Sequence, residues 1–187
     1  MWRWLLGRFQ VVYADCPWAY RNRNTGGSFK SGSAAKYPTL SLRELEDLSV
    51  SEIAAKDSIL FLWATVPLLP EAFYLMTKWG FSYKTSIFWR KIMSLGLGFY
   101  FRGQVEILLM GIRGKISAFR CQKSNFYQSK ALKHSHKPDY FYSLIEEVTP
   151  NMTRIELFAT QKREGWTSLG YEIDGKDIRE ALSDPID

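Results

Sequence analysis

The chain has 187 residues, 46% of them hydrophobic and 24% charged, which fits one globular domain with a substantial core. Its net charge of +6 favours a polyanionic partner, and its aromatic content of 16% suits stacking against bases or purine cofactors. The two cysteines, Cys16 and Cys121, are too far apart to indicate a disulfide framework or a zinc site, and no apolar stretch is long enough to span a membrane. The apolar run within residues 1–6 is shorter than a signal core, so we expect a cytoplasmic protein.

The first predicted element is a buried strand over Phe9–Ala14, rich in β-branched and aromatic residues and followed at once by Asp15-Cys16-Pro17-Trp18. Such a strand delivers Asp15 to the carboxyl edge of the sheet, where open α/β sheets bind their ligands. Because Pro17 disfavours a helical conformation at Cys16, we expect an extended turn whose main-chain carbonyls are free to accept hydrogen bonds.

A carboxylate and a carbonyl held side by side can accept both hydrogens of a planar NH2 group. With an aromatic face from Trp18 or Tyr20 nearby, this pair suits the exocyclic amine of a nucleobase. Two acceptors that pull the amine toward tetrahedral geometry make it a better nucleophile. The alternative interpretation is an acid, a turn proline and a core tryptophan with no chemistry.

The next segments predict alternating helices and strands. The loop at 20–36 is polar and glycine-rich, and is either a lid over the site or a disordered surface loop. Ser41 is predicted to cap a helix, with Glu44 in the capping-box position. Strand, helix and strand are predicted next, at 58–65, 67–79 and 83–90. This alternation indicates a parallel sheet covered by helices.

A second glycine-rich loop, at 94–103, leads into a strand predicted over Val105–Gly111. We expect Arg102 in the loop and Glu106 near the start of the strand to line a base-binding cleft. Basic and aromatic residues alternate beyond this strand: Arg113, Lys115, Phe119, Arg120, Lys123, Phe126, Tyr127, Lys130 and Lys133. This mixture suits a nucleic-acid groove, and a solvated charged face is an equally good interpretation.

A helix is predicted over Pro138–Val148, directly after His134, His136 and Lys137. The two histidines lack a third metal ligand, so we expect no metal site. Lys137 stands at the start of a helix, where the helix dipole favours anions, and it is therefore expected to bind a ligand carboxylate.

The last strand predicted in full spans Thr153–Ala159, and a turn at Gly165-Trp166 leads toward one more. Glu172 follows, where nucleotide-binding sheets often place an acid that binds ribose hydroxyls; an exposed surface acid is the alternative. The segment 174–187 is polar, with at most a short helix expected.

Four motifs occur in order along the chain: Asp15-Cys16-Pro17-Trp18, Phe61-Leu62-Trp63-Ala64-Thr65, His134-Ser135-His136-Lys137-Pro138-Asp139, and Glu156-Leu157-Phe158-Ala159 followed by Gly165-Trp166 and Gly170. This set resembles the S-adenosylmethionine-dependent adenine-amino methyltransferases, a family that includes the catalytic subunit of the eukaryotic messenger-RNA adenosine methyltransferase and compact phage and prophage DNA enzymes. The resemblance covers residues 11–172 and is greatest to the phage-type members. It implies an α/β, Rossmann-like methyltransferase sheet with helices on both faces and a permuted motif order, the catalytic strand preceding the cofactor-binding strand.

The resemblance also implies roles for individual residues. The catalytic turn would consist of Asp15, Cys16, Pro17 and Trp18, with the Asp15 carboxylate and the Cys16 carbonyl holding the adenine amine. S-adenosyl-L-methionine would be bound by Asp15, Cys16, Lys137 (methionine carboxylate), Phe158 (adenosine) and Glu172 (ribose). Trp18 would shape the base pocket, and from the sequence pattern itself we expect Tyr20, Arg102 and Glu106 to bind the base as well. Most relatives have two prolines where this chain has Cys16-Pro17, so the carbonyl is kept but the rigidity of the first proline is lost.

The predicted function is methyl transfer from S-adenosyl-L-methionine to the exocyclic amine of adenine in nucleic acid, with DNA favoured over RNA, in a bacterial or phage-infected cell. We expect an N-terminal extension at 1–8, a methyltransferase domain at 9–174 and a polar tail at 175–187, and leave open a homodimer or a partner subunit. One alternative is a catalytically silent methyltransferase-like subunit, suggested by the altered proline and the short segment before the first strand. Another is methylation of a cytosine amine or a non-nucleic-acid amide, because the same two acceptors would serve.

Overall fold

The computed structural model describes residues 7–19, 39–92, 100–119, 121–130 and 136–182. Within them, seven strands form one sheet in the order β5-β3-β4-β2-β1-β6-β7. The strands are β1 (Phe9–Ala14), β2 (Ala54–Thr65), β3 (Ser82–Ile92), β4 (Val105–Arg113), β5 (Phe126–Lys130), β6 (Arg154–Leu157) and β7 (Thr167–Leu169). The helices are α1 (Leu42–Glu46), α2 (Val50–Ile53), α3 (Leu69–Lys78), α4 (Asp139–Val148), α5 (Tyr171–Asp174) and α6 (Ile178–Ala181).

The sheet is not wholly parallel, and the prediction of a parallel sheet is wrong for one strand. β4 runs antiparallel to both of its neighbours, β2 and β3, whereas the other paired strands of the described residues are parallel. A parallel neighbour needs a crossover, usually a helix, but the sequence between β3 and β4 is glycine-rich and has no helical pattern. Hydrophobic periodicity indicates a strand without its direction, so only pairing could show this reversal.

The predicted helices are confirmed with small shifts in their ends. Ser41 caps α1 through a complete capping box, in which the Glu44 carboxylate accepts the Ser41 backbone N–H at 2.8 Å. Pro67 lies in a 3-10 turn, so α3 begins only at Leu69. The predicted lid or loop at 20–36 lies outside the described residues.

Apolar side chains of the strands alternate between two core clusters, one on each face of the sheet. On the first face the core includes Leu45 of α1 and Leu75 of α3. On the second face it includes Phe141 and Ile145 of α4. The predicted α/β fold with helices on both faces is therefore confirmed. The predicted short helix in the polar tail is also present, as α6, and its Ile178 packs into the first core.

Two aromatic residues predicted for a nucleic-acid groove belong instead to the second core. The Tyr127 ring stacks on Tyr140 with ring centroids 4.0 Å apart, and Phe119 packs against the same cluster. Phe126, the residue beside Tyr127, is exposed because it lies on the opposite face of β5.

A buried carboxyl group lies within the second core. Glu156 of β6 is only 5% exposed, and its Oε1 accepts a 2.6 Å hydrogen bond from the Tyr142 hydroxyl. Its Oε2 has no partner among the described residues. Burial raises the pKa of Glu156 to about 7, although the Tyr142 hydrogen bond opposes this shift.

Glu156→Gln is expected to remove a pH dependence from the stability of the protein. Because the pKa of Glu156 is higher in the folded protein than in the unfolded chain, its contribution is most favourable below about pH 4.5 and is lost as the pH rises to about 7. Unfolding free energies measured by urea denaturation should therefore favour the variant increasingly, by up to about 3 kcal/mol, as the pH rises through this range. Glu164→Gln, at an exposed acid, controls for the change in net charge. A pH-independent difference between Glu156→Gln and the wild type would contradict this account.

Candidate active site

A cleft of about 360 Å³ lies at the carboxyl edge of the sheet, where β1, β2 and β6 end. Its volume falls within the range of small-molecule sites, roughly 300–1,000 Å³. The residues predicted from sequence that line it are Asp15, Cys16, Pro17, Trp18, Glu106, Lys137, Phe158 and Glu172. The structure therefore brings together residues from five separate regions of the sequence.

One predicted base-binding residue is not part of this lining, and another lies outside the described residues. Arg102 is exposed in the segment that precedes β4 and does not line the cleft. Tyr20 lies outside the described residues. Both base-binding roles remain predictions.

The turn after β1 is not helical, as Pro17 predicts, but its carbonyls are not free. The backbone N–H of Trp18 donates to the Cys16 carbonyl at 2.9 Å, and the N–H of Leu40 donates to the Pro17 carbonyl at 2.9 Å. The expectation of unpaired carbonyls is therefore wrong. A carbonyl oxygen has two lone pairs, so the Cys16 oxygen keeps one for a substrate hydrogen.

Four charged side chains form a continuous ion-pair chain along one side of the cleft. The Lys137 ammonium lies 2.5 Å from Oδ2 of Asp15 and 3.3 Å from Oε2 of Glu106. Glu106 also pairs with Lys91. The chain Asp15–Lys137–Glu106–Lys91 therefore has two positive and two negative charges, and each internal member has a partner on both sides.

This chain and its burial set the protonation of the site. Burial raises the pKa of Asp15 above its ordinary value, and the attraction of Lys137 reduces the shift without reversing it. For Lys137 burial lowers the pKa, but the two carboxylates outweigh it and the net shift is upward. For Glu106 burial is likewise outweighed, by Lys137 and Lys91, so its pKa is lowered. Lys137 therefore keeps its positive charge, and that charge favours the ionised form of Asp15.

The wall beneath Lys137 is Trp63, at the carboxyl end of β2. The Lys137 ammonium lies 5.2 Å from the centroid of the Trp63 ring, which is almost fully buried. The Trp63 indole N–H donates to the Tyr13 hydroxyl at 2.6 Å, and its carbonyl accepts the Trp18 indole N–H at 3.4 Å. Trp63 thus contacts the turn after β1, Lys137 and the core. The sequence predicted a buried strand at Trp63 but did not predict these contacts.

Lys91, at the carboxyl end of β3, is another residue that sequence reasoning missed. It lines the cleft only because β3 and β4 are antiparallel, which sets Trp89 opposite Glu106. A parallel pairing would have separated the Lys91 and Glu106 charges.

The far wall of the cleft follows β6. Phe158, just after β6, lines the cleft with a positive φ of 64°, an uncommon conformation for a residue with a side chain. The position of Phe158 depends on the close approach of Gly170, which follows β7. A Cβ on Gly170 would lie 2.2 Å from the Ala159 carbonyl oxygen and 2.6 Å from the Ala159 nitrogen, so this position accepts glycine alone.

Gly170→Ala is expected to lower stability by about 1–3 kcal/mol, because the added methyl group meets the backbone of Phe158 and Ala159. The added methyl group should also displace Phe158 and Ala159, and so weaken the binding of S-adenosylmethionine at this wall. Chemical denaturation and calorimetric titration with S-adenosylmethionine would measure the two effects. Gly103→Ala is the matched control, because nothing lies within 4 Å of a Cβ there. Equal stability of Gly170→Ala and Gly103→Ala would contradict the conclusion that position 170 accepts glycine alone.

The rim of the cleft has two acids near the end of the described chain. Glu172, in α5, is exposed and lines the cleft, so the surface-acid interpretation and the ribose interpretation both agree with its position. Asp177, the N-cap residue of α6, also lines the cleft and pairs with Arg179. The sequence pattern did not single out Asp177.

No group of three or more histidine, cysteine or acidic side chains that could hold a metal occurs in the described part of the chain. His136 is exposed, and His134 lies outside the described residues. A search of the described helices also finds none that is long and apolar enough to cross a membrane.

A protein-family model, MT-A70, matches residues 9–172. The chain belongs to the MT-A70 family. Among its relatives is the type II methyltransferase M.MunI of a Mycoplasma species, which is 36% identical over 96% of this chain and 84% of its own length. The N(6)-adenosine-methyltransferase subunit METTL3 of Danio rerio is 29% identical over 91% of this chain, but only 29% of METTL3 is covered. Human METTL3 is 28% identical over a similar span. The predicted resemblance and enzyme class, an adenine-amino methyltransferase, are confirmed.

S-adenosylmethionine is the cofactor that MT-A70 methyltransferases share, and the residues of the cleft fit it. A sulfonium cofactor with an amino acid end and a nucleoside end needs both charge signs and an apolar wall. The cleft offers Asp15 and Lys137 at one end, the Phe158 ring along a wall and Glu172 at the rim. When bound, the cofactor supplies an electrophilic methyl group.

Proposed function

We propose that this MT-A70 protein methylates the exocyclic amine of adenine in nucleic acid, with DNA as the favoured substrate. The observation that carries the proposal is the turn at Asp15–Trp18, whose acidic residue Asp15 and next residue Cys16 both line the cleft, with one lone pair of the Cys16 carbonyl to spare. These are the two acceptors that a planar NH2 group requires.

In this proposal Asp15 and Cys16 act on the target amine. Lys137 holds Oδ2 of Asp15, so Oδ1 can accept one amine hydrogen while the Cys16 carbonyl accepts the other. With both hydrogens held, the nitrogen lone pair is directed toward the methyl group. Trp18 and Trp63 form the walls around the base. The base enters the cleft flipped out of the duplex or from a single strand. The step depends on positioning and needs no covalent intermediate.

Three side chains would hold the cofactor. Lys137 has a retained positive charge and is the side chain proposed for the methionine carboxylate. Phe158 would lie against the adenosine, and Glu172 would accept hydrogen bonds from the ribose hydroxyls. Asp15 would contact the cofactor's amino group.

The choice of DNA follows from the relatives. M.MunI, whose name describes a type II methyltransferase, shares most of its length with this chain, whereas METTL3 shares less than a third. We accordingly place the protein in the cytoplasm of a bacterial or phage-infected cell. Its use of a homodimer or partner subunit remains a proposal.

The function is tested by incubating the protein with S-adenosylmethionine labelled in the methyl group and with unmethylated DNA or RNA. Label in DNA, at a rate well above that in RNA, is the expected result. A reversed preference would assign the substrate to RNA. Absence of label on either polymer, from protein that binds S-adenosylmethionine by calorimetry, would refute the proposal and favour the catalytically silent alternative.

A further inference from the structure

Positive charge is concentrated in one part of the chain. Between Ser82 and Pro138 the sequence has eleven lysines and arginines and a single acid, Glu106. The rest of the chain has 14 basic and 18 acidic residues. The basic segment contains β3, β4 and β5, which form one end of the sheet. The excess of positive charge therefore lies in the part of the sequence that contains this end of the sheet.

Two strands at this end leave one face open to solvent. β3 and β5 are parallel, and their residues pair as Phe88 with Phe126, Arg90 with Gln128, and Ile92 with Lys130. All six are exposed, and they share the sheet face on which α3 packs further along. We call this surface the β3–β5 platform: Phe88, Arg90, Ile92, Phe126, Gln128 and Lys130.

The platform is held rigid from its other side. The intervening residues point to the second core, where the Trp89 indole N–H donates to the Ser129 hydroxyl at 2.9 Å and Tyr127 stacks on Tyr140. Phe88 and Phe126 nevertheless remain 38% and 49% exposed. Adjacent aromatic rings on a fixed strand pair, open to water, indicate a binding surface.

The platform leads to the cleft. β3 and β5 run parallel to β1, through the pairings across the sheet, so their carboxyl ends lie at the edge where Asp15 is found. Lys91, between Arg90 and Ile92, lines the cleft itself. A polynucleotide whose target base occupies the cleft would pass this end of the platform.

We propose that the β3–β5 platform binds unpaired nucleotides that flank the target adenine, with bases stacked on Phe88 and Phe126 and phosphates paired with Arg90 and Lys130. The inference rests on the proposed function and adds the path of the strand. Aromatic side chains on an open sheet face, combined with cations, are the means by which many proteins hold single strands.

Charge decides between this occupant and a second copy of the chain. Neither β3 nor β5 contains an acid, whereas together they contain Lys84, Arg90, Lys91 and Lys130. A symmetric contact of two platforms would place like charges against each other, which opposes dimerisation through this face. A polyanion has the complementary charge.

The test compares methylation kinetics on single-stranded DNA of two lengths, one long enough to cross the platform and one with only the target and its immediate neighbours. Arg90→Glu/Lys130→Glu should raise KM for the long strand at least about tenfold, with kcat changed less than about twofold. Loss of two phosphate contacts should also reduce the salt slope of log binding constant by about 1.4. KM for the short strand should change little.

The aromatic contribution is tested separately. Phe88→Leu/Phe126→Leu keeps apolar volume but removes stacking, and should raise KM for the long strand by about tenfold. Phe88→Tyr/Phe126→Tyr keeps the aromatic rings, so its KM for the long strand should be close to that of the wild type. The matched charge control is Lys56→Glu/Lys78→Glu, which reverses two exposed lysines near the amino ends of β2 and β3, at the opposite edge of the sheet.

KM values in the platform variants equal to those of the charge control would overturn the inference. A changed oligomeric state by light scattering, with unchanged KM, would identify the platform as a protein interface and overturn it as well. If the wild type transfers no methyl group, the proposed function fails, but fluorescence anisotropy with the same strands still decides the platform. Loss of binding in the platform variants alone supports it, and equal binding contradicts it.

Discussion

Replacement of Asp15 by alanine is expected to reduce methyl transfer by at least about 10³-fold while leaving the protein folded. In the proposed mechanism the carboxylate is one of the two acceptors that orient the amine, and removal of a single orienting group of this kind commonly costs 10²- to 10³-fold. The loss of Asp15 also frees Lys137 from its nearest partner. Rates of methyl transfer from labelled S-adenosylmethionine measure the effect.

The fold should survive this substitution because Lys137 keeps Glu106 as a counter-ion. The unfolding free energy of Asp15→Ala should therefore remain within about 1 kcal/mol of the wild type. Asp15→Asn keeps an oxygen acceptor but loses the charge, and is expected to retain more activity than Asp15→Ala. Turnover near the wild-type rate in Asp15→Ala would remove Asp15 from the mechanism.

Replacement of Lys137 by methionine should produce the second largest effect, a fall of about 10²- to 10³-fold in kcat/KM. The substitution removes the cation that Asp15 and Glu106 share. Without that attraction the pKa of Asp15 rises further, because burial then acts almost unopposed. Asp15 will ionise only at higher pH, so the acidic limb of the kcat/KM profile should move to higher pH.

Affinity for S-adenosylmethionine should fall in the same variant by about tenfold or more, since a charge-assisted hydrogen bond contributes about 1.5–3 kcal/mol. Lys91→Met is the matched control, because Lys91 pairs with Glu106 and not with Asp15. Calorimetry on both variants, with circular dichroism to check folding, separates the two lysines. Wild-type cofactor affinity in Lys137→Met would contradict its assignment to the methionine carboxylate.

Local features of the site could be predicted from the sequence because they depend on neighbouring residues. The apolar run of β1 predicted Asp15 at the sheet edge, and Pro17 predicted a turn in place of a helix. The family resemblance added Lys137, which lies 122 positions from Asp15 and could not be paired with it by spacing. The hydrogen bond from Trp18 to the Cys16 carbonyl was missed, because it depends on backbone angles that residue types do not fix.

Other features that sequence reasoning missed depend on strand pairing. Lys91 and Glu106 meet because β4 is antiparallel to β3, and periodicity does not encode direction. Phe126 and Tyr127 are adjacent aromatic residues, yet one is exposed and the other stacks in the core. Which of the two faces solvent is decided by the helix that covers one side of the sheet.

Identification of the methylated atom tests the central claim most directly. A DNA strand with one adenine and several cytosines is incubated with the wild-type protein and S-adenosylmethionine, digested to nucleosides and analysed by mass spectrometry against N6-methyldeoxyadenosine. The account predicts N6-methyldeoxyadenosine as the product, and none from the Asp15→Ala variant. Methylated cytosine, methylation at another adenine atom, or Asp15-independent product would contradict the assignment of Asp15 and the Cys16 carbonyl as the pair that holds the adenine amine.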